Sequence, residues 1–179
     1  MRTFTIHLLL AALAGLAASC TNPQTPSAGK PEAADEKNTA VLTSGGKGVL
    51  RLAIPAGAQT FDKDEMLIVA QGKGHCRFYV WTVKNARTLD EAAPRVGEVI
   101  KSEFIEFKLT GTKDLTIGGA PARMLAGTGK EADDSDPGLA EVVLFAAGQN
   151  VFAACVHGEE LLPAARDLMM TAIHSARLP

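Results

Sequence analysis

The sequence predicts an α+β domain: a single, mostly antiparallel sheet flanked by helices, an α/β/α sandwich. Three observations point there. Short segments between Gly48 and His157 alternate apolar and polar residues and are separated by glycine-rich turns, the pattern of antiparallel strands joined by hairpins. Two other segments carry apolar residues at helical spacing, one in the middle of the strand run and one at its end. Finally, two strands are apolar on both faces, and such strands need a covering layer on each side of the sheet.

In chain order, Met1–Cys20 comes first, MRTFTIHLLLAALAGLAASC. Arg2 supplies a positive start, Ile6–Leu16 an apolar run, and Ala17-Ala18-Ser19 a small-residue exit. That is the build of a secretory leader. The run is short against the roughly 20 residues that a bilayer span needs. Its ending in cysteine resembles a bacterial lipobox, which implies a leader over residues 1–19 and acylation of Cys20 as the first mature residue. Thr21 follows in place of the aspartate that commonly retains lipoproteins at an inner membrane. In a two-membrane bacterium the resemblance therefore implies the outer membrane, with the domain facing the periplasm.

Residues 20–47 read as the lipidated cysteine and a disordered tether. TNPQTPSAGKPEAADEKNTA is rich in Pro, Ala, Thr and charge and offers little to bury. A flexible segment of this length reaches roughly 30 Å root-mean-square. The globular domain is expected over 48–179.

Leu50, Leu52 and Ile54 alternate with Arg51 and Ala53, a half-buried strand stopped by Pro55. Asp62–Glu65 is a charged turn, and Met66–Ala70 is a continuous apolar strand. Gly72-Lys73-Gly74 leads into Cys76–Val83, where Cys76, Phe78 and Val80 face one way and Tyr79, Trp81 and Val83 the other. Thr88-Leu89-Asp90-Glu91 fits a capping box. The helix it opens carries Leu89, Ala93, Val96 and Ile100 as its stripe, and Pro94 predicts a kink or a late start. Phe104–Leu109 alternates again, with Ile105, Phe107 and Leu109 opposed to Glu106 and Lys108. Leu115–Gly118 and Ala122–Ala126 flank a Gly-Gly-Ala-Pro turn, and Lys130–Gly138 is an acidic loop. Glu141–Ala147 and Val151–Val156 flank Gly148-Gln149-Asn150, a tight hairpin. The last helix starts near Pro163 and shows Ala164, Leu168, Met169, Ala172 and Ile173 to the core.

The strand ending IPAG, the helix opening TLDEA, the turn TIGGAPAR, the hairpin EVVLFAAGQNVFAAC and the final AIHSAR together resemble the PsbP-like α/β/α sandwich. That group includes the photosystem extrinsic subunit and bacterial lipoproteins of the DcrB type. The resemblance spans Gly48 to Pro179 and contains no catalytic residue. It implies a binding or assembly module rather than an enzyme.

Chemistry-bearing residues are few. Lys and Arg number 18 against 20 Asp and Glu, so there is no basic excess for a nucleic acid partner. After Cys20, the cysteines Cys76 and Cys155 form an even pair in an oxidising compartment, which favours a disulfide between them. The same residues admit three other readings: separate core cysteines, a metal site, and a periplasmic thiol or metal enzyme using Cys76, Cys155 and His157. Against a metal, His75 and Cys76 are neighbours in a strand and point to opposite faces, so only Cys155 and His157 share one. Glu131, Asp133, Asp134 and Asp136 lack calcium-loop spacing. Gly118-Gly119 lacks a phosphate-loop continuation, and no serine elbow occurs. The expectation is a module with no catalytic set, no metal and no cofactor. Its partners are the membrane, through Cys20, and a protein or another envelope component.

Overall fold

The computed structural model describes residues 38–63, 65–72, 76–131 and 137–179, all within one compact unit, Ala33–Pro179. The expected leader, Cys20, most of the tether, His75 and the centre of the acidic loop lie outside the described residues.

Nine strands are described: β1 (Thr39–Ser44), β2 (Lys47–Ala53), β3 (Gln59–Lys63), β4 (Met66–Gln71), β5 (Cys76–Thr82), β6 (Phe104–Ile117), β7 (Ala120–Glu131), β8 (Pro137–Ala147) and β9 (Asn150–Gly158). Helix α1 (Leu89–Glu103) separates β5 from β6, and α2 (Pro163–His174) follows β9. Seven strands form one antiparallel sheet in the order β3-β4-β5-β9-β8-β7-β6. The predicted α+β class, a mostly antiparallel sheet with helices packed on it, is therefore what forms. β1 and β2 pair separately as a two-stranded antiparallel sheet.

Two cores lie on the two faces of the seven-stranded sheet. On one, α2 and the β1–β2 hairpin seal Leu67, Val69, Phe78, Val80, Phe145 and Phe152. On the other, α1 packs over β6, β7, β8 and β9 through Ala92, Val96 and Ile100. Ser175 ties the end of α2 to β2: its Oγ accepts from the Ala53 N–H (2.7 Å) and donates to the Ala172 carbonyl (2.6 Å). Arg177 then exchanges two backbone hydrogen bonds with Arg51, so the chain end extends the small sheet.

Local signals were followed closely at several elements. At the start of α1, Glu91 N–H donates to Thr88 Oγ1 (3.2 Å), and the Glu91 carboxylate accepts from Arg87 N–H (2.7 Å), one residue ahead of the usual capping-box partner. The helix starts at Leu89 and runs through Pro94, whose side is exposed. Gly118 and Gly119, at φ +57° and +84°, make the two-residue turn between β6 and β7, a left-handed pair that glycine supplies without strain.

Four expectations are corrected. The domain already includes β1, which begins nine residues before Gly48 and whose Ala40 and Leu42 are 4% and 1% exposed and pair with β2. Of the expected charged turn Asp62–Glu65, Asp62 and Lys63 belong to β3, an exposed edge strand paired with β4. In β6, register shifts between Ile105 and Lys108 and between Leu109 and Gly111 break the expected alternation, and Leu109 is left 56% exposed. Such bulges end regular pairing and turn the strand. In the first turn of α2 the buried alanine is Ala165, not Ala164.

Candidate functional site

The expected Cys76–Cys155 disulfide is not formed, and the pairing register shows why. Tyr79 lies opposite Cys155 across β5 and β9. Residues directly opposite share a face, and alternate residues along a strand change faces. Tyr79 and Cys155 therefore face α1, whereas Cys76, three residues from Tyr79, packs with the α2-side core. The sheet stands between the two sulfurs. The same placement removes the metal or thiol enzyme that was to use Cys76, Cys155 and His157 together, since Cys76 cannot share an ion or a reacting atom with the other two. No group of three or more His, Cys, Asp or Glu residues with metal-binding proximity occurs among the described residues. His174 is exposed on α2, with Nδ1 2.7 Å from the Met170 carbonyl.

Cys155 and His157 do share a face, as the alternation required. Cys155 is buried and His157 half-buried. The His157 ring stacks on Tyr79 (centroids 5.1 Å apart) and meets Phe104 edge-on at 5.7 Å. The Arg77 guanidinium lies 5.9 Å from the Tyr79 ring centroid, close enough for a cation–π attraction. The His157 ring is thus held between two aromatic rings, on the face that also carries the buried Cys155.

Tyr79 opens onto the largest unexpected feature of this face. Three cross-strand rows run over β3, β4 and β5: Gln59–Ala70–Arg77, Phe61–Ile68–Tyr79 and Lys63–Met66–Trp81. The middle row continues into Cys155 and Val142, and the last into Ala153 and Leu144, under α1. Beyond α1 no described element covers the sheet on this side. Met66, Ile68, Tyr79 and Trp81 are only half-buried and Phe61 is 52% exposed. Their alternates on the α2 side, Leu67, Val69, Phe78 and Val80, are at most 1% exposed. The sequence makes β4 and β5 apolar on both faces, and the described structure covers them on one.

A second recess, of about 570 Å³, lies between α1 and β6–β7, bounded by Pro94, Gly97, Phe107, Leu109 and Arg123. Arg123 closes one end. Its guanidinium pairs with Asp90 at the start of α1 (2.5 Å) and with Asp114 of β6 (2.9 Å). Those two carboxylates, Asp90 first, push its pKa further up. The recess is thus strapped by a charge cluster whose own members satisfy it. Neither the recess nor the open half-face was readable in the sequence, because both depend on where α1 comes to rest.

No family model matches the chain, and no curated protein matches it. Among solved structures it is similar to PsbP (CyanoP) from Synechocystis sp. PCC 6803, at 14% identity and a TM-score of 0.49, over 86% of this chain and 98% of that one. It is also similar to PA94 from Pseudomonas aeruginosa, a protein of unknown function, at 15% identity and a TM-score of 0.44, over 76% and 96% of the two chains. These are distant resemblances.

Proposed function

We propose that this chain is a bacterial envelope lipoprotein, held at the membrane by an acylated Cys20, whose folded domain is a non-catalytic binding or assembly module. The observation that carries the reading is the short apolar run that ends through Ala17-Ala18-Ser19 in Cys20. Two features support the binding half. The candidate thiols and imidazole sit in packing roles on two different faces, and a half-face of the main sheet presents aromatic side chains part-exposed to solvent. The polar segment from Thr21 to about Asn38 then serves as a tether that lets the domain stand off its membrane. The outer membrane, with the domain in the periplasm, is the location that Thr21 supports.

Fractionation of cells expressing Cys20→Ser tests this. The variant is expected in the soluble envelope fraction while the natural chain sediments with membranes. Equal membrane retention of both would overturn the anchor.

A further inference from the structure

We propose that the open half-face formed by β3, β4 and β5 is the docking site for an amphipathic helix of a partner protein, one that carries acidic residues along the borders of its apolar stripe. This inference rests on the reading of the domain as a binding module and names what it binds.

The geometry comes first. Seven strands at a spacing of about 4.8 Å make a sheet roughly 29 Å wide, and a helix with its side chains covers about 10 Å of that width. On the α2 side, a helix and a two-stranded hairpin share the work, and the alternates in β4 and β5 are sealed. On the other side α1 is the one helix among the described residues, and it packs over β6, β7, β8 and β9. What remains is a strip three strands wide, walled on one side by α1. That is the width of one further helix, which would lie beside α1 and complete the layer.

The composition of the strip selects the occupant. Its nine positions hold six apolar residues, Phe61, Met66, Ile68, Ala70, Tyr79 and Trp81, together with Gln59, Lys63 and Arg77. None is a carboxylate. Asp62, the acidic residue of β3, pairs with Leu67 and so points to the α2 side. The chain's single tryptophan and single tyrosine are both here, the residue types that anchor protein interfaces. An apolar strip bordered by cations is complementary to an apolar stripe bordered by anions. A second copy of the same face would bring Lys63 and Arg77 against their own kind. A bilayer is disfavoured by shape, since α1 stands about 10 Å proud of the strip. The described chain also begins in the hairpin layer on the α2 side, away from the open half.

The single tryptophan makes the test direct. The exported Cys20→Ser chain, free of lipid, is titrated with two tryptophan-free synthetic peptides that circular dichroism shows to be helical. Both carry leucine at i, i+3, i+4 and i+7; one is bordered by glutamate and the other by lysine. The glutamate peptide is expected to shift Trp81 emission to the blue, saturably, and the lysine peptide to bind at least tenfold more weakly. In the Lys63→Glu/Arg77→Glu variant the preference should reverse, with the melting temperature unchanged. No saturable shift with either peptide, or the same response to both, would overturn the proposal. So would a response to phosphatidylglycerol vesicles in place of the peptide, or a concentration-dependent dimer that buries Trp81. The protein carries no lipid here, so a failed anchor at Cys20 leaves these outcomes unaffected.

Discussion

At Gly127 of β7 and Gly97 of α1 the same substitution is expected to have opposite signs. A Cβ at Gly127 would run into the Phe107 ring and stand 2.8 Å from the Lys108 carbonyl oxygen, a backbone atom that cannot step aside. Gly127→Ala is therefore expected to lower stability by about 1–3 kcal/mol, as overpacking does. Gly97 lies in α1, and a Cβ there meets nothing within 4 Å. Gly97→Ala should raise stability by about 0.5–1 kcal/mol, the usual gain on replacing a helical glycine. Urea denaturation of the two variants reads both signs. The cysteines teach a different lesson at this scale. The alternation correctly puts Cys76 with Phe78 and Val80, and Cys155 with Val151 and Ala153. Whether those two faces coincide depends on the register between β5 and β9, and local alternation carries no information about register. With Tyr79 opposite Cys155, the two thiols fall on opposite sides. A reductant should accordingly leave the melting temperature of the Cys20→Ser chain unchanged, and a marked fall would mean that a disulfide had been holding the domain.

Among the elements, β1 and the turn after β3 decide how the small hairpin joins the sheet. TAVLTS was hidden in a polar, proline-bearing stretch, where two buried residues are too few to raise the local pattern above its surroundings. The α2 side makes them count, since Leu42 is 1% exposed in the first core. Leu42→Ala should cost about 2–5 kcal/mol, whereas Val41→Ala, at a position 36% exposed on the opposite side of the strand, should change little; thermal melts of both variants check the contrast. Glu65 makes the second connection. Its carboxylate pairs with Lys84 (2.8 Å) and accepts the Gly45 N–H (3.1 Å), so it joins the β1–β2 turn to the main sheet. Lys84 first, and the Gly45 N–H second, hold the Glu65 pKa below the ordinary carboxylate range. A carboxyl depressed in the folded state adds stability above its unfolded pKa of about 4.3 and loses it as the pH falls through the lower folded value. The melting-temperature gap between the natural chain and Glu65→Gln should thus be open and flat at about pH 6–7 and narrow as the pH falls below the unfolded value of about 4.3. A gap that does not change between about pH 7 and the acid end of the titration would show that the glutamine acts by another route.

For the whole molecule, the fold class was legible and the placement of its layers was not. Each of β2, β4, β5, β8 and β9 announced itself by alternation or by a bounded apolar run, and α1 and α2 by a cap, a proline at the first turn and a helical stripe. These are local signals, and local propensity and tertiary packing agree there. The bulges of β6, the exposed edge strand β3 and the half-face left bare beside α1 arise from how elements meet, which one sequence does not encode in any short window. The apolar residues of that half-face are nonetheless evident in the sequence: strands apolar on both sides ask for two layers, and the described domain supplies one and a half. On the proposed reading, a tethered domain whose described elements leave such a strip open is suited to meet a partner in the envelope. The claim on which this account turns is the anchor, and intact-mass spectrometry of the protein extracted from its own membranes tests it most directly. The predicted result is a chain that begins at Cys20 and carries the added mass of acyl groups there. An unmodified chain, or one beginning at any other residue, would contradict it.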